Sequence, residues 1–198
     1  MPFAYYRRLT PAEQRVYRRS DAVTAVPLPQ SHGLRPRVGA LSEALASGER
    51  VQTQAASERL LRGLCAALAV SPVRLEVLAA RPARDWGELH GLYTPAGHGR
   101  SARVTLWMRT AQRRQVVALR TFLRTLLHEL CHHLDYELLR LPDSLHTEGF
   151  YKRESSLFHR LMGEARRPEG PGDDAGRGLA PESTDGGMDL LGQGGSDG

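Results

Sequence analysis

The chain of 198 residues has only two cysteines, Cys65 and Cys131. Two cysteines cannot form a disulfide framework or a four-cysteine zinc ribbon, so a bound metal would need histidine and carboxylate ligands. No apolar run approaches the roughly 20 residues of a membrane span, and the N-terminal stretch lacks the apolar core of a secretory signal. These absences predict a cytoplasmic globular protein that does not enter the membrane.

Lysine is also nearly absent, because 26 of the 27 basic residues are arginine. The formal net charge is +5, but the segment from Ala165 onward has seven acidic residues against three arginines, which leaves +9 on residues 1 to 164. This balance is compatible with DNA or another polyanion as a partner. A biased codon composition would produce the same excess of arginine without any such partner.

Composition divides the chain into three parts. They are a basic helix and loop over residues 1–36, a folded domain over residues 37–164, and a disordered, acidic, glycine-rich tail over residues 165–198. The tail has scarcely any aliphatic residues, so burial cannot offset the entropy of ordering it. A capping box at residues 10–13, with proline at the first helical position, predicts a helix from Pro11 to about Arg19.

Hydrophobic periodicity predicts the elements of the folded domain. Helical spacing predicts helices near residues 38–47, 51–69, 115–139 and 146–162, and the prolines within residues 21–36 indicate a loop. Alternation predicts strands near residues 73–77, 88–93 and 102–109, the last two forming a hairpin. We therefore expect an α+β domain, with an antiparallel or mixed sheet of about three strands packed on the third of these helices.

The main chemical signal is the sequence HELCH at positions 128–132. On a helix, His128 and His132 lie one turn apart on one face and can present ring nitrogens to one ion. Glu129 lies about 100° around the helix, where it can reach a water bound to that ion. Zinc acidifies such a water, and a neighbouring carboxylate can take its proton as the general base. The motif therefore predicts Zn²⁺ as the cofactor and Glu129 as the base.

A polar stripe on an otherwise apolar helix supports this prediction. Thr121, Thr125, His128, His132 and Asp135 fall within about 80° of one another on a helical wheel. Burying such a stripe lowers the stability of a protein unless the stripe faces a cleft or binds a ligand.

A catalytic zinc takes three protein ligands and leaves one position open. The downstream candidates for the third ligand are Asp143, His146, Glu148 and Glu154. His146 is favoured because the Leu-Pro break at residues 141–142 lets the chain reverse toward the open end of the helix.

The residues from Thr125 to His132, followed by His146 to Phe150, resemble the SprT-like (Spartan-like) zinc metalloproteases. In that family a third histidine follows the HExxH helix across a short loop, and a phenylalanine stands four residues later at the start of a helix. The resemblance covers about residues 73–163. It implies a zincin-like fold, hydrolysis of peptide bonds, and zinc held by two helical histidines and His146.

The family also implies that the strand Arg103–Met108 is an edge strand, along which a substrate chain aligns by β-addition. One local difference is that Thr147 stands directly after the third histidine, where the family has glycine. A gluzincin-type site, in which Glu154 is the third ligand instead of His146, is an alternative that the residues leave open.

The roles of several neighbouring residues also stay open. Tyr136 or Tyr151 can either donate to an oxyanion or simply pack, and Asp135 can either hold a ligand imidazole or be an ordinary solvated residue. His133 points about 100° away from its neighbour His132, which predicts a surface residue or a hydrogen-bonding partner of the site. Cys131 is expected to be a small core residue.

The leading hypothesis is a zinc metallopeptidase of the HExxH type that acts on a protein or peptide. One alternative is a zinc hydrolase of a non-peptide amide, which would share the site but have no use for an edge strand. The other is a non-enzymatic basic interaction or nucleic-acid-binding module with a structural zinc. That module would not lose its function when Glu129 is replaced.

Overall fold

The computed structural model describes residues 2–29, 31–80, 91–97 and 99–163. The tail predicted over residues 165–198 and the first residues of the strand predicted at 88–93 lie outside these ranges. The helices are α1 (Pro11–Asp21), α2 (Ser31–Ala46), α3 (Arg50–Ala67), α4 (Leu119–Glu137) and α5 (Glu148–Met162). The strands are β1 (Arg74–Ala80), β2 (Gly91–Thr94) and β3 (Arg103–Arg109), and a 3-10 helix at Ala4–Arg8 precedes α1.

These elements confirm the predicted α+β class and the small mixed sheet. The strand order is β1-β3-β2, with β1 parallel and β2 antiparallel to β3. The predicted hairpin is present as the β2–β3 pair, in which Gly91 lies opposite Leu106 and Thr94 opposite Arg103. Among the described residues, β2 pairs with β3 alone and is therefore an edge of the sheet.

The prediction that Arg103–Met108 is an edge strand is wrong, because β3 is the central strand. Its alternating sequence is typical of a strand with one open face, yet Thr105 and Trp107 are only 8% and 7% exposed. Pairing on both sides and burial on both faces identify β3 as the core of the sheet. The strand order depends on contacts between distant segments, which alternation within one strand does not report.

The helix starts differ from the sequence predictions at two places. Helix α2 begins at Ser31 rather than near residue 38 and includes Pro36. Proline inside a helix costs about 3 kcal/mol, but the apolar side of α2, with Leu34, Leu41 and Leu45, is buried in the core and outweighs that cost. The predicted boundary between residues 36 and 37 therefore lies within a helix.

Helix α4 begins at Leu119 rather than near residue 115, because the chain just before it continues the sheet. Val116 forms a bridge with Arg109, and the Val117 amide donates to the Met108 carbonyl at 2.8 Å. From there α4 runs beneath the sheet and buries Leu123, Leu126, Leu127 and Leu130 completely. This packing fixes the rotation of α4 about its axis and therefore which side chains face the opposite direction.

The predicted capping box is confirmed at the start of α1, where Thr10 and Glu13 cap each other. Helix α5 begins at Glu148, and the Thr147 hydroxyl caps it by accepting the Phe150 amide at 3.0 Å. His146 therefore lies just ahead of α5. Among the residues that the structure describes, no helix combines the length and the apolar character that crossing a bilayer requires.

Candidate metal centre

Three histidine side chains meet at the open side of α4. His128 and His132 come from α4, and His146 comes from the loop that follows the break at residues 141–142. The Nε2 atom of His146 lies 2.9 Å from Nε2 of His128 and 3.2 Å from Nε2 of His132. The ligand atoms of the three residues all lie within 4.8 Å of one another, which is close enough to hold one metal ion.

The two separations from Nε2 of His146 are close to those expected around a tetrahedral metal ion. Zinc binds imidazole nitrogen at about 2.0–2.1 Å, so two nitrogens on a tetrahedral zinc lie about 3.3 Å apart. The observed separations of 2.9 and 3.2 Å are slightly shorter. A small outward movement of the rings would thus create room for the ion.

Glu154 does not join the three nitrogens. Its Oε2 lies 3.1 Å from Nδ1 of His128, on the opposite side of that ring from Nε2. The carboxylate is nearly buried, at 9% exposure, and Arg124 approaches its other oxygen at 3.5 Å. Glu154 therefore accepts a hydrogen bond from His128 and orients its ring, which favours His146 over Glu154 as the third ligand.

Ser144 orients the ring of His132 in the way that Glu154 orients the ring of His128. Its hydroxyl donates to Oδ2 of Asp135 at 2.7 Å, so its oxygen is free to accept Nδ1–H of His132, also at 2.7 Å. The hydrogen-bond network thus assigns the Nδ1-protonated tautomer to His132, which leaves the Nε2 lone pair for a metal. Sequence analysis did not identify Ser144, since a serine in a loop carries no pattern of its own.

The orientation of the three rings suits the centre to a metal ion. Nδ1 of His132 donates to Ser144 and Nδ1 of His128 faces the Glu154 carboxylate, so both rings turn Nε2 toward the same point. Burial, reinforced by the neighbouring His128 and His146, lowers the pKa of His132 to about 3. Burial also lowers the pKa of His146, with His128 contributing. Imidazole nitrogens arranged in this way are suited to a borderline-soft metal ion such as zinc.

Glu129 lies beside the three histidines and is 5% exposed. Burial raises its pKa to about 7, although the neighbouring His128 and a hydrogen bond from the Tyr93 backbone lower it. Glu129 and the histidines line a cavity of about 590 Å³. The rest of its lining comprises Gly91, Leu92, Tyr93, Pro95, Arg124, Thr125, Tyr136, Ser144 and Glu154.

Strand β2 forms the wall of this cavity opposite α4. A Cβ atom at Gly91 would lie 2.5 Å from Oε1 of Glu129, so only glycine leaves room for the carboxylate where it stands. The Tyr93 ring stacks on His132 with a centroid separation of 6.2 Å. Neither residue was identified from the sequence, because the contact depends on how β2 lies across α4.

The structure separates the alternatives that the sequence left open for Asp135 and His133. Asp135 is fully buried and forms an ion pair with Arg153 at 2.7 Å, so it is not a solvated helix residue. His133 is also buried, and its ring nitrogens contact the Ser71 carbonyl at 2.8 Å and the Tyr93 hydroxyl at 3.1 Å. It is therefore not a surface residue, and it points away from the metal centre.

Two tyrosines and a cysteine near the histidines differ in whether they line the cavity. The Tyr136 side chain lines it, with its hydroxyl 3.4 Å from Oδ1 of Asp143. The exposed Tyr151 ring stacks instead on His146, with centroids 5.8 Å apart. Cys131 is fully buried, as expected of a core residue.

Comparisons of the chain with protein-family models, with curated proteins and with solved structures found no match.

Proposed function

We propose that the protein is a zinc metallopeptidase of the SprT-like type, with a zincin-like fold and zinc held by His128, His132 and His146. The observation that carries this proposal is the convergence of three Nε2 atoms beside the buried Glu129 on one cavity. Three neutral ligands and one adjacent carboxylate are the set that zinc hydrolases use.

Zinc bound in this centre would supply Lewis acidity, which makes a water more acidic and an amide carbonyl more electrophilic. Glu129 takes the proton from the attacking water and passes it to the leaving amine. A general base works best when its pKa is near the working pH, and burial brings the pKa of Glu129 to about 7. Glu154 and Ser144 keep the imidazoles of His128 and His132 in the ligating tautomer.

The edge of β2 that has no paired strand among the described residues offers a place for the substrate backbone. Gly91, Leu92 and Tyr93 line the cavity, and β2 has one paired side and one side toward Glu129. An extended peptide could add to this edge by main-chain hydrogen bonds, which do not depend on the side chains of the substrate. We therefore propose that the substrate adds to β2 and not to β3.

Hydrolysis of unfolded casein tests this proposal. Wild-type protein loaded with zinc should cleave casein, lose the activity after chelation, and regain it when one equivalent of zinc is added. Cleavage that persists after complete removal of the metal would contradict a zinc mechanism. Hydrolysis of small amides without cleavage of casein would instead favour the non-peptide amidase.

Gly91→Ala is expected to lower casein hydrolysis by about 10²-fold, the scale of a 1 Å misplacement of a catalytic group. The new Cβ would lie 2.5 Å from Oε1 of Glu129, and the flexible carboxylate must move away. Zinc content should change little, because the three atoms nearest to the new Cβ belong to Glu129 and Thr125 and not to the histidines. The melting temperature should fall, since the Cβ would also lie 2.7 Å from Cγ2 of Thr125 and 2.9 Å from Cγ of Glu129. Gly97→Ala is the control, because nothing lies within 4 Å of its Cβ position. Equal activity of both variants would contradict the placement of Glu129.

A further inference from the structure

The segment of residues 2–29 contacts the loop that carries His146 and the helix α5 that follows it. Tyr5 donates its hydroxyl to the His146 carbonyl at 2.5 Å. The Tyr5 ring packs edge-on against the buried Tyr17 of α1, with centroids 5.9 Å apart. The third candidate ligand is therefore tethered, through its own backbone, to a residue more than one hundred positions earlier in the chain.

The end of α1 meets the start of α5 next to this tether. The Gly149 amide donates to Oδ1 of Asp21 at 2.9 Å, and Gly149 lies so close to the Asp21 carbonyl that a Cβ atom would overlap it. The Ser20 hydroxyl lies 3.4 Å from the hydroxyl of Thr147, the residue directly after His146. These contacts fix the loop on both sides of the ligand.

A second connection runs through Arg153, which is completely buried on α5. Its guanidinium donates to the carbonyls of Ser20 and Val23, both at 2.6 Å, and to Oδ1 of Asp135 at 2.7 Å. Asp135 accepts the Ser144 hydroxyl through its other oxygen. Since Ser144 holds Nδ1 of the His132 ring, a continuous chain of hydrogen bonds links the end of α1 to that histidine.

We propose that Tyr5, Ser20 and Val23 position the metal centre: Tyr5 sets His146, and the carbonyls of Ser20 and Val23 set His132 through Arg153, Asp135 and Ser144. The proposal rests on the proposed metal site and adds to it the residues that tune its affinity. Partners of ligating imidazoles that fix ring orientation typically change metal affinity 10–100-fold when they are removed. The basic N-terminal segment therefore contributes residues to the metal centre and is not a separate unit.

Two variants of the full-length chain test the two connections. Ser144→Ala should weaken zinc binding at least about tenfold, because His132 loses the acceptor that fixes its tautomer. Tyr5→Phe should weaken it about fivefold, the effect of losing one net hydrogen bond. Affinity is measured by competition with a chromophoric chelator, and the melting temperature of the zinc-free protein is measured in parallel.

Matched controls separate positioning from general stability. Ser71→Ala also removes a hydroxyl that donates to a carboxylate at 2.7 Å, in this case Glu137. Tyr6→Phe removes a phenol that accepts from Arg18, away from the histidines. Both controls should keep wild-type zinc affinity. Wild-type affinity in either Ser144→Ala or Tyr5→Phe would overturn the proposal, whereas a wild-type chain that binds no zinc would overturn the metal centre itself.

Discussion

Replacing Glu129 by glutamine is expected to lower casein hydrolysis by about 10²–10⁴-fold, the usual contribution of a general base. Glutamine has nearly the same shape but cannot accept a proton at neutral pH. Zinc content should stay at the wild-type level, because the three Nε2 atoms that converge belong to histidines and not to Glu129. The buried carboxylate carries a pKa of about 7, so an uncharged amide in its place should not unfold the protein.

Glu137→Gln is the matched control for this variant. Glu137 lies on the same helix but outside the cavity lining, where it accepts the Ser71 hydroxyl. Its replacement should leave casein hydrolysis near the wild-type rate. If Glu129→Gln kept more than a tenth of wild-type activity at full zinc occupancy, another group would have to be the base.

Replacing Arg153 by methionine is expected to lower the free energy of unfolding by about 3–5 kcal/mol, the cost of breaking a buried ion pair from one side. Arg153 and Asp135 are both fully buried and lie 2.7 Å apart. Without the guanidinium, the Asp135 carboxylate and the carbonyls of Ser20 and Val23 lose a donor in the interior. Urea denaturation of the zinc-free protein measures the change without a contribution from bound metal.

Arg160→Met provides the comparison on the same helix. Arg160 is exposed on α5, and surface substitutions usually change stability by no more than about 0.5 kcal/mol. Adding Asp135→Leu to Arg153→Met should recover part of the loss, because the unpaired carboxylate is then removed. A loss below about 1 kcal/mol in Arg153→Met would show that the pair is not the buried link described above.

The local parts of the site were accessible to sequence analysis. The spacing of His128 and His132 follows directly from helical periodicity, and the proline at position 142 indicates the reversal that returns His146. Side chains four residues apart share one face of a helix wherever the helix lies in the fold, so the pair can be identified locally. The three histidines that the structure brings together are the three favoured from the sequence, two by helical spacing and His146 by the proline break.

Features of the site that depend on contacts between distant segments could not be predicted from the sequence. The order β1-β3-β2 placed β2 rather than β3 at the cavity, and no pattern within β3 distinguishes a central strand from an edge strand of similar alternation. The roles of Ser144 and Arg153 could be assigned only from the structure, which shows both side chains hydrogen-bonded to Asp135. An arginine on a helix is usually solvated, and nothing near Arg153 in the sequence indicates its burial.

The start of helix α2 also depends on contacts with distant segments. Proline at position 36 favoured a loop, yet the buried apolar side of α2 outweighs the local preference. The helix therefore extends further toward the N-terminus than local propensity predicts. Tertiary packing decided this boundary.

The zinc content of the purified chain is the most direct test of the metal centre. The protein is loaded with zinc, dialysed against buffer with a weak chelator, and analysed by atomic emission together with His146→Ala and Glu154→Gln. We predict about one zinc per wild-type chain, near-complete loss in His146→Ala, and retention at reduced affinity in Glu154→Gln. A well-folded wild-type chain without zinc, or a His146→Ala variant that retains zinc at full affinity, would contradict the site described here.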